Sequence, residues 1–236
     1  MDDKNLVSKR LRYIERQRQL RADRVNVAFE GRPPQGSGPA NRHGMPKLPV
    51  GQRQVPNWPV LDLGDSPTIP LDTWRLEVGG LCENPFSVSW QEFLALPQID
   101  DVSDFHCVTT WSRYDLEFQG VAFFTIADLV QPKPSASHVF FKSYDGYSTN
   151  NPLEVCLDDD VLIAHSANRQ PLSVEHGGPA RVIIPKRYAW KGAKFVREIV
   201  FLDRDILGFW EVRGYSNEAD PWLEQRFSEH DSRKLP

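Results

Sequence analysis

The sequence has 236 residues and a mass of 27.0 kDa, which suits one large domain or two small ones. Hydrophobic residues make up 40% and charged residues 25%, so a sizeable core can form and a wholly disordered chain is excluded. With 28 basic and 32 acidic residues the formal net charge is −4, which argues against a generally nucleic-acid-binding surface. The three cysteines exclude a dense disulfide framework, and their odd number leaves at least one thiol unpaired.

The N-terminal region indicates the expected compartment. Residues 1–24 contain no continuous apolar run that could form the core of a signal peptide. No stretch of about 18 apolar residues occurs elsewhere, so we expect no membrane span. We therefore expect a cytoplasmic protein, in which a cysteine is more often buried, metal-bound or catalytic than disulfide-bonded.

Two segments precede the main domain. Residues 4–24 mix Lys and Arg with four aliphatic residues at roughly helical spacing, which predicts a helix. That helix either docks on an acidic partner or anionic surface, or lies against its own domain. Residues 31–59 are rich in Pro and Gly, a composition that predicts an extended arm without regular elements. We expect the segment 1–57 to be separate from a domain at 58–227, with a tail at 228–236.

The main domain contains many short strands and few helices. In chain order, we predict a strand at 74–80, a helix at Trp90–Ala95 capped by Ser89, a strand entering a loop at 104–111, a helix at 124–130 capped by Thr125 and ended by Pro132, a strand-like segment at 138–148, an ambiguous segment at 159–167, and strands at 180–185 and 195–203. The aromatic and charged segment after residue 209 is expected to pack over the domain. This order predicts a β-rich α+β fold and not a regular βαβ repeat.

Several signatures of common enzyme classes are missing. The sequence has no GxGxxG after a strand, no GxxxxGK[ST], no GxSxG and no HExxH. This absence argues against Rossmann, P-loop, α/β-hydrolase and zincin chemistry.

Cys107 has chemically suggestive neighbours. It follows His106 at the predicted end of a strand, and Arg113 is close in sequence. Because a thiolate forms at neutral pH only beside positive charge or a metal, Cys107 is either a catalytic or metal-ligating thiolate or a buried inert thiol. A zinc site would need Cys107, Cys156 and His165 to converge, since no CxxC motif is present.

The segment 176–195 combines small residues with cations. Gly177, Gly178, Gly192 and Ala193 permit close approach of the backbone. The surrounding cations are His176, Arg181, Lys186, Arg187, Lys191 and Lys194. This combination suits a phosphate group, which arginine and free amides can bind, but it also suits a basic surface turn between two strands.

Five segments, in order, resemble a known family. HCVTTWSRYDLEFQGV, SYDGYSTNNPLE, AHSANRQPLSVEHGGPARVIIP and YAWKGAKFVREIVF resemble the molybdopterin domain of the sulfite oxidase family. GFWEVRGYSNEADPWLEQRF is similar to the ending of its small, stand-alone bacterial members. The similarity extends from about residue 58 to residue 227 and includes the Cys together with HGxPxR and KGxK.

The resemblance implies a β-rich fold that binds molybdenum-molybdopterin through one pterin dithiolene and one protein thiolate. Cys107 stands where the family places that thiolate, a soft ligand suited to a redox-active metal. The positions that match the family's pterin and phosphate contacts are Trp58, Leu61 and Asp62 in the arm, Ser143, His176, Arg181, Gly192, Ala193 and Lys194.

Two departures bear on the substrate. Sulfite oxidases proper carry arginines directly after the ligand cysteine, whereas here Arg113 is the nearest candidate. They also place a tyrosine by the metal where this chain has His165, which is either a proton donor or anion ligand or an ordinary core histidine. We name Cys107, Arg113 and His165 as catalytic candidates. Both departures argue against sulfite as the substrate, so the chain is compared equally with the branch of the family that reduces sulfoxides.

The resemblance implies an oxidoreductase that transfers an oxygen atom to or from a small substrate, sulfite-like or an S-oxide. No CxxCH haem motif is present, so an external electron-transfer partner is expected. One alternative is a cofactor-carrying electron-relay module that docks on a partner and has no turnover of its own. Another is a metal-free thiol enzyme that uses Cys107 with His106.

Overall fold

The computed structural model describes residues 35–61, 64 and 66–231. The predicted N-terminal helix at 4–24, the candidate Asp62 and residues 232–236 lie outside the described residues. No helix in the described part of the chain is long and apolar enough to cross a membrane.

The arm contains regular structure, contrary to the expectation from its composition. Strands β1 (Gly36–Ala40) and β2 (Pro46–Pro49) form an antiparallel hairpin, and β3 (Arg53–Gln54) pairs in parallel with a strand of the main domain. Prolines are tolerated here because, among the described residues, the hairpin has no third strand to which their missing N–H groups would have to donate.

One mixed sheet has six strands. They are β3, β6 (Gln98–Cys107), β7 (Trp111–Ala122), β10 (Leu162–Ala167), β11 (Gln170–Pro171) and β12 (Arg181–Ile183). Long antiparallel β6 and β7 pair along most of their length, and Cys107 lies opposite Trp111 where the two strands meet at a turn. Of the ambiguous segment 159–167, Leu162–Ala167 is a strand, which becomes clear only from its pairing with β7 and β12.

A second sheet has five strands, in the order β5 (Phe86–Ser89), β4 (Arg75–Gly80), β13 (Val196–Leu202), β8 (His138–Ser143) and β9 (Ser148–Pro152). β4 and β13 are parallel, and the remaining pairs are antiparallel. Alternating buried and exposed residues along β4 and β8 show that one face of this sheet packs on the core.

The described residues include short α-helices α1 (Trp90–Ala95), α2 (Phe123–Val130) and α3 (Leu153–Cys156). Helix α1 begins with the predicted Ser89 cap, which forms a full capping box with Glu92. The predicted Thr125 cap of α2 is wrong, because β7 runs directly into the helix and Ala122 occupies the cap position. The Phe123 N–H donates to the Val161 carbonyl at 2.8 Å instead.

Short 3-10 turns form much of the remaining structure, at Val174–His176, Ala189–Lys191, Glu211–Arg213 and Ser228–His230. The segment after residue 209 packs over the domain as predicted, since Trp210, Trp222 and Phe227 are buried. The observed sheets, few helices and buried C-terminal segment confirm the β-rich α+β class.

Candidate active site

A cleft lies where the turn after β6 meets the arm and the segment 176–195. Its volume is about 100 Å³. Residues predicted from the sequence that line it are Trp58, Leu61, Cys107, His176, Arg181, Gly192 and Lys194, and Trp111 lines it as well. The fold therefore brings together residues from three distant parts of the chain.

Cys107 is the last residue of β6 and lines the cleft although only 4% of it is exposed. The next three residues form a turn closed by a 3.1 Å hydrogen bond from the Thr110 N–H to the Cys107 carbonyl. Thr110 has a φ of +74°, which a branched residue rarely adopts, so the turn depends on its surroundings for its shape. The Cys107 Sγ and Thr109 Oγ1 are 3.2 Å apart.

Arg181, at the start of β12, is a buried cation in the cleft. Its guanidinium packs over the rings of Trp58 and Phe105, at 5.5 and 5.1 Å from the ring centroids. Nη1 donates to the His176 carbonyl at 2.9 Å, while Nε has no hydrogen-bond partner among the described residues. Burial lowers its pKa to about 10. Because a buried cation is stable only when compensated, this site calls for an anion.

His176 stacks on Trp58, with ring centroids 4.0 Å apart. Its Nε2 lies 3.1 Å from the Trp58 carbonyl, which can only accept, so Nε2 carries the proton. Nδ1 then accepts from the Ser173 hydroxyl at 3.0 Å. Burial lowers the pKa of His176 and favours this neutral tautomer. The histidine thus holds the end of the arm against the cleft.

Lys194 is fixed by its backbone surroundings. Its Nζ donates to the carbonyls of Leu61 and Glu175 at 2.6 and 2.5 Å. Gly177 has a φ of +99°, and a Cβ there would lie 2.8 Å from the Lys194 Cγ. Glycine is therefore needed at 177 to leave space for the Lys194 side chain. Gly192 is equally constrained, since a Cβ would lie 2.4 Å from the Val182 carbonyl oxygen.

Ala193 and Ser143, two predicted cofactor positions, are not among the residues that line the cleft. Ala193 is fully buried, and its carbonyl accepts from the Val182 N–H at 2.8 Å. Ser143 ends β8, and its buried Oγ has no partner among the described residues. Its N–H donates to the Tyr147 carbonyl, which places Ser143 next to a residue that lines the cleft.

Arg113 and His165 are not among the residues that line the cleft. Arg113 donates to the carbonyl of Tyr114. The His165 Nε2 lies 3.2 Å from the Gln98 Oε1, and its ring contacts the edges of Trp90 and Phe93. Burial lowers the pKa of His165. Of the two roles considered for His165, this geometry matches that of an ordinary core histidine.

Sequence reasoning missed several residues that line the cleft, namely Asp145, Tyr147, Trp190, Trp210 and Tyr215. Burial raises the pKa of Asp145, and the buried Trp190 Nε1 has no partner among the described residues. The tryptophans looked like ordinary core residues in the sequence, and only the fold shows that they share one wall. Asp145 could have been suspected from its place within the matched SYDGYST segment.

The zinc alternative has no support in the described residues, which include no group of three or more His, Cys, Asp or Glu able to hold a metal. Cys156 is fully buried, and burial strongly raises its pKa, as expected of an inert thiol. His106 hydrogen-bonds through Nδ1 to the Ser112 hydroxyl at 2.8 Å. Burial lowers the His106 pKa to about 3, so it supplies no positive charge to Cys107.

Comparisons with known proteins identify the family of this chain. Residues 63–210 match the model of the oxidoreductase molybdopterin-binding domain. The chain is 39% identical over 183 residues to the oxidoreductase YuiH of Bacillus subtilis. The aligned region covers 77% of this chain and 92% of YuiH. It is 33% identical over 114 residues to the mitochondrial sulfite oxidase of Drosophila melanogaster, covering 44% of this chain and 20% of that protein.

Among solved structures, the sulfane dehydrogenase SoxCD of Paracoccus pantotrophus has a similar fold, with a TM-score of 0.55 and 22% identity. The match covers 59% of this chain and 40% of the SoxCD chain. The length of the family match and the identity to YuiH lead to one conclusion. The chain belongs to the oxidoreductase molybdopterin-binding domain family, of the sulfite oxidase type, and is a molybdopterin-dependent oxidoreductase.

Proposed function

We propose that the enzyme removes oxygen from a small, neutral S-oxide, using electrons from an external partner. The observation that supports this most is the composition of the cleft, in which Cys107 and Arg181 lie among aromatic rings. When bound, the molybdenum-molybdopterin cofactor supplies two-electron oxygen-transfer chemistry.

The residues present fit such a cofactor. Cys107 offers a soft thiolate at the cleft wall, the kind of ligand that molybdenum accepts. Arg181 offers a buried guanidinium whose Nε lacks a partner among the described residues, which suits a phosphate. Ser143 Oγ and Trp190 Nε1 add two more buried polar atoms without a partner in that part of the chain. Buried polar atoms are nearly always hydrogen-bonded in folded proteins, so a ligand in the cleft would supply partners for these groups.

The chain's residues would divide the work. Cys107 would hold the metal, and Arg181 and Lys194 would hold the pterin phosphate, while Gly192 and Ala193 shape the backbone around it. Neutral His176 would keep the arm, with Trp58 and Leu61, against the cleft. Three tryptophans that line the cleft form its aromatic wall, namely Trp111, Trp190 and Trp210. Their rings would exclude water from the space around Cys107.

The charge pattern favours a neutral substrate over sulfite. The cations that line the described part of the cleft are Arg181 and Lys194, and each hydrogen-bonds to a backbone carbonyl and matches a cofactor position, as does the neutral His176. Arg113, the sequence candidate for an anion pocket, does not line the cleft. The aromatic rings of Trp111, Trp190 and Trp210 instead suit an apolar substituent or a sulfur atom.

Dye assays on cofactor-loaded protein test this proposal. Reduced viologen should be oxidised by simple alkyl or aryl sulfoxides, and sulfite should reduce ferricyanide far more slowly. Cys107→Ser should abolish both reactions, whereas Cys82→Ser, which changes another buried thiol that does not line the cleft, should retain them. Fast sulfite oxidation without sulfoxide reduction would contradict the proposed substrate class.

The electron-relay alternative is favoured by the basic segment 4–24, which suits an acidic docking partner. Deleting residues 1–30 separates the two proposals. An enzyme should keep its dye-linked activity after the deletion, and a docking module should lose its only measurable behaviour.

A further inference from the structure

The turn that presents Cys107 is bound from outside by two residues of distant segments. Gln52 lies in the arm and Arg226 lies near the C-terminus, and neither falls within the residues 63–210 that match the family model. We propose that Gln52 and Arg226 form a clamp that positions the Cys107 turn for metal binding. This inference rests on the proposed role of Cys107 as metal ligand.

The Gln52 amide bridges the two ends of the turn. Its Nε2 donates to the carbonyls of both Cys107 and Trp111, each at 3.0 Å. Its Oε1 accepts from the Arg226 Nη2 at 3.0 Å. The amide orientation is determined by this network, because a guanidinium only donates and a carbonyl only accepts. All the donors and the acceptor of the side chain are thus directed at the turn or at Arg226.

Arg226 binds the middle of the same turn. Its Nη1 donates to the Val108 carbonyl at 2.6 Å, and its guanidinium stacks over the Tyr188 ring at 4.8 Å. The side chain is 1% exposed, so the hydrogen bonds form in a low-dielectric environment where they are strong. Its Nε is paired with Glu224, which orients the planar fork.

Backbone groups of the arm complete the enclosure. The Arg53 N–H donates to the Thr110 carbonyl at 3.0 Å, and the Val55 N–H donates to the Ser112 carbonyl at 2.9 Å. The turn needs this support because Thr110 has an unfavourable positive φ. The consequence is that the position of the Cys107 Sγ depends on contacts made by Gln52 and Arg226, which are positioning residues that do not touch the cofactor site themselves.

The experiment replaces the donors of the clamp at constant size. Gln52→Glu removes both N–H donors and places a carboxylate oxygen against two carbonyls. Gln54→Glu makes the same chemical change two residues along the arm, where the side chain is exposed, and is the matched control. Arg226→Lys is a second variant, which keeps the charge but loses the fork.

The first readout uses cofactor-free protein. The rate at which iodoacetamide alkylates Cys107 is measured by peptide mass spectrometry. We expect this rate to be about tenfold higher in Gln52→Glu than in the parent, because the turn opens more often. Cys82 and Cys156 act as internal references whose rates stay constant. We expect Arg226→Lys to be intermediate and Gln54→Glu to match the parent. Should Gln52→Glu fail to fold, the Arg226→Lys rate decides.

The second readout uses cofactor-loaded protein. We expect parental molybdenum content with a shifted Mo(V) electron paramagnetic resonance spectrum in Gln52→Glu, since the Cys107 Sγ sits differently. Parental alkylation rates and spectra in both clamp variants would overturn the clamp. If Cys107→Ser itself leaves the spectrum unchanged, the proposed ligand role fails, while the alkylation rates still decide the clamp independently.

Discussion

At the scale of single residues, burial determines the chemistry of the cleft. Arg181 keeps its charge at neutral pH, since its pKa stays at about 10, and its hydrogen bond goes to a backbone carbonyl. Asp145 lines the same cleft. Burial raises the pKa of Asp145, and its Oδ1 accepts from the Tyr147 N–H at 3.0 Å. The folded protein therefore holds a proton on Asp145 to a higher pH than the unfolded chain does.

A pH dependence of stability follows from Asp145. Because the folded pKa lies above the unfolded one, the residue lowers the free energy of unfolding as pH rises from the ordinary Asp pKa through the folded value. Asp145→Asn keeps a carbonyl oxygen for the Tyr147 N–H and removes the charge. We expect it to raise stability at pH 7 and to leave stability below the ordinary Asp pKa unchanged, measured by urea unfolding of cofactor-free protein. An equal gain at both pH values would contradict this.

At the scale of elements, the helices and strands that depend on contacts between neighbouring residues could be predicted from the sequence. Helix α1 and strands β4 and β13 could be located from alternation and from Ser89, because the cap and the core face are encoded in adjacent residues. β3 could not, since it pairs with β7, a distant part of the chain. The hairpin of β1 and β2 could not either, because its pairing is local but its Pro and Gly content argues against strands. The aromatic wall of the cleft was equally hidden, because Trp190 and Trp210 meet only after folding.

The capping box of α1 gives a prediction at this scale. Ser89→Ala removes the side-chain acceptor for the Glu92 N–H and the hydroxyl that donates to the Glu92 carboxylate. We expect a loss of about 1 kcal/mol in the free energy of unfolding, measured by denaturant titration. Ser87→Ala, two residues earlier on β5, is the control and should have little effect.

At the scale of the whole molecule, a buried ion pair joins the segments that form the aromatic wall. Lys191 Nζ and Glu211 Oε1 are 2.9 Å apart, with neither side chain exposed. Lys191 ends the 3-10 turn that follows Tyr188, and Glu211 begins the one that follows Trp210. The pair therefore links the two turns next to Trp190 and Trp210, which both line the cleft.

Removing one partner leaves an uncompensated charge. We expect Lys191→Met to cost about 3–5 kcal/mol in the free energy of unfolding. The double variant Lys191→Met with Glu211→Leu should cost less than the sum of the single changes, because it leaves no buried charge. Strict additivity in a double-mutant cycle would show that the two residues do not act as a pair.

The central claim is that Cys107 binds molybdenum in this cleft. X-ray absorption at the molybdenum edge of cofactor-loaded protein measures the sulfur ligands directly. We expect Cys107→Ser to lose about one sulfur scatterer from the metal's first shell, leaving the pterin dithiolene pair. Cys82→Ser should keep the full shell. A sulfur shell that is the same in Cys107→Ser as in the parent would contradict the assignment.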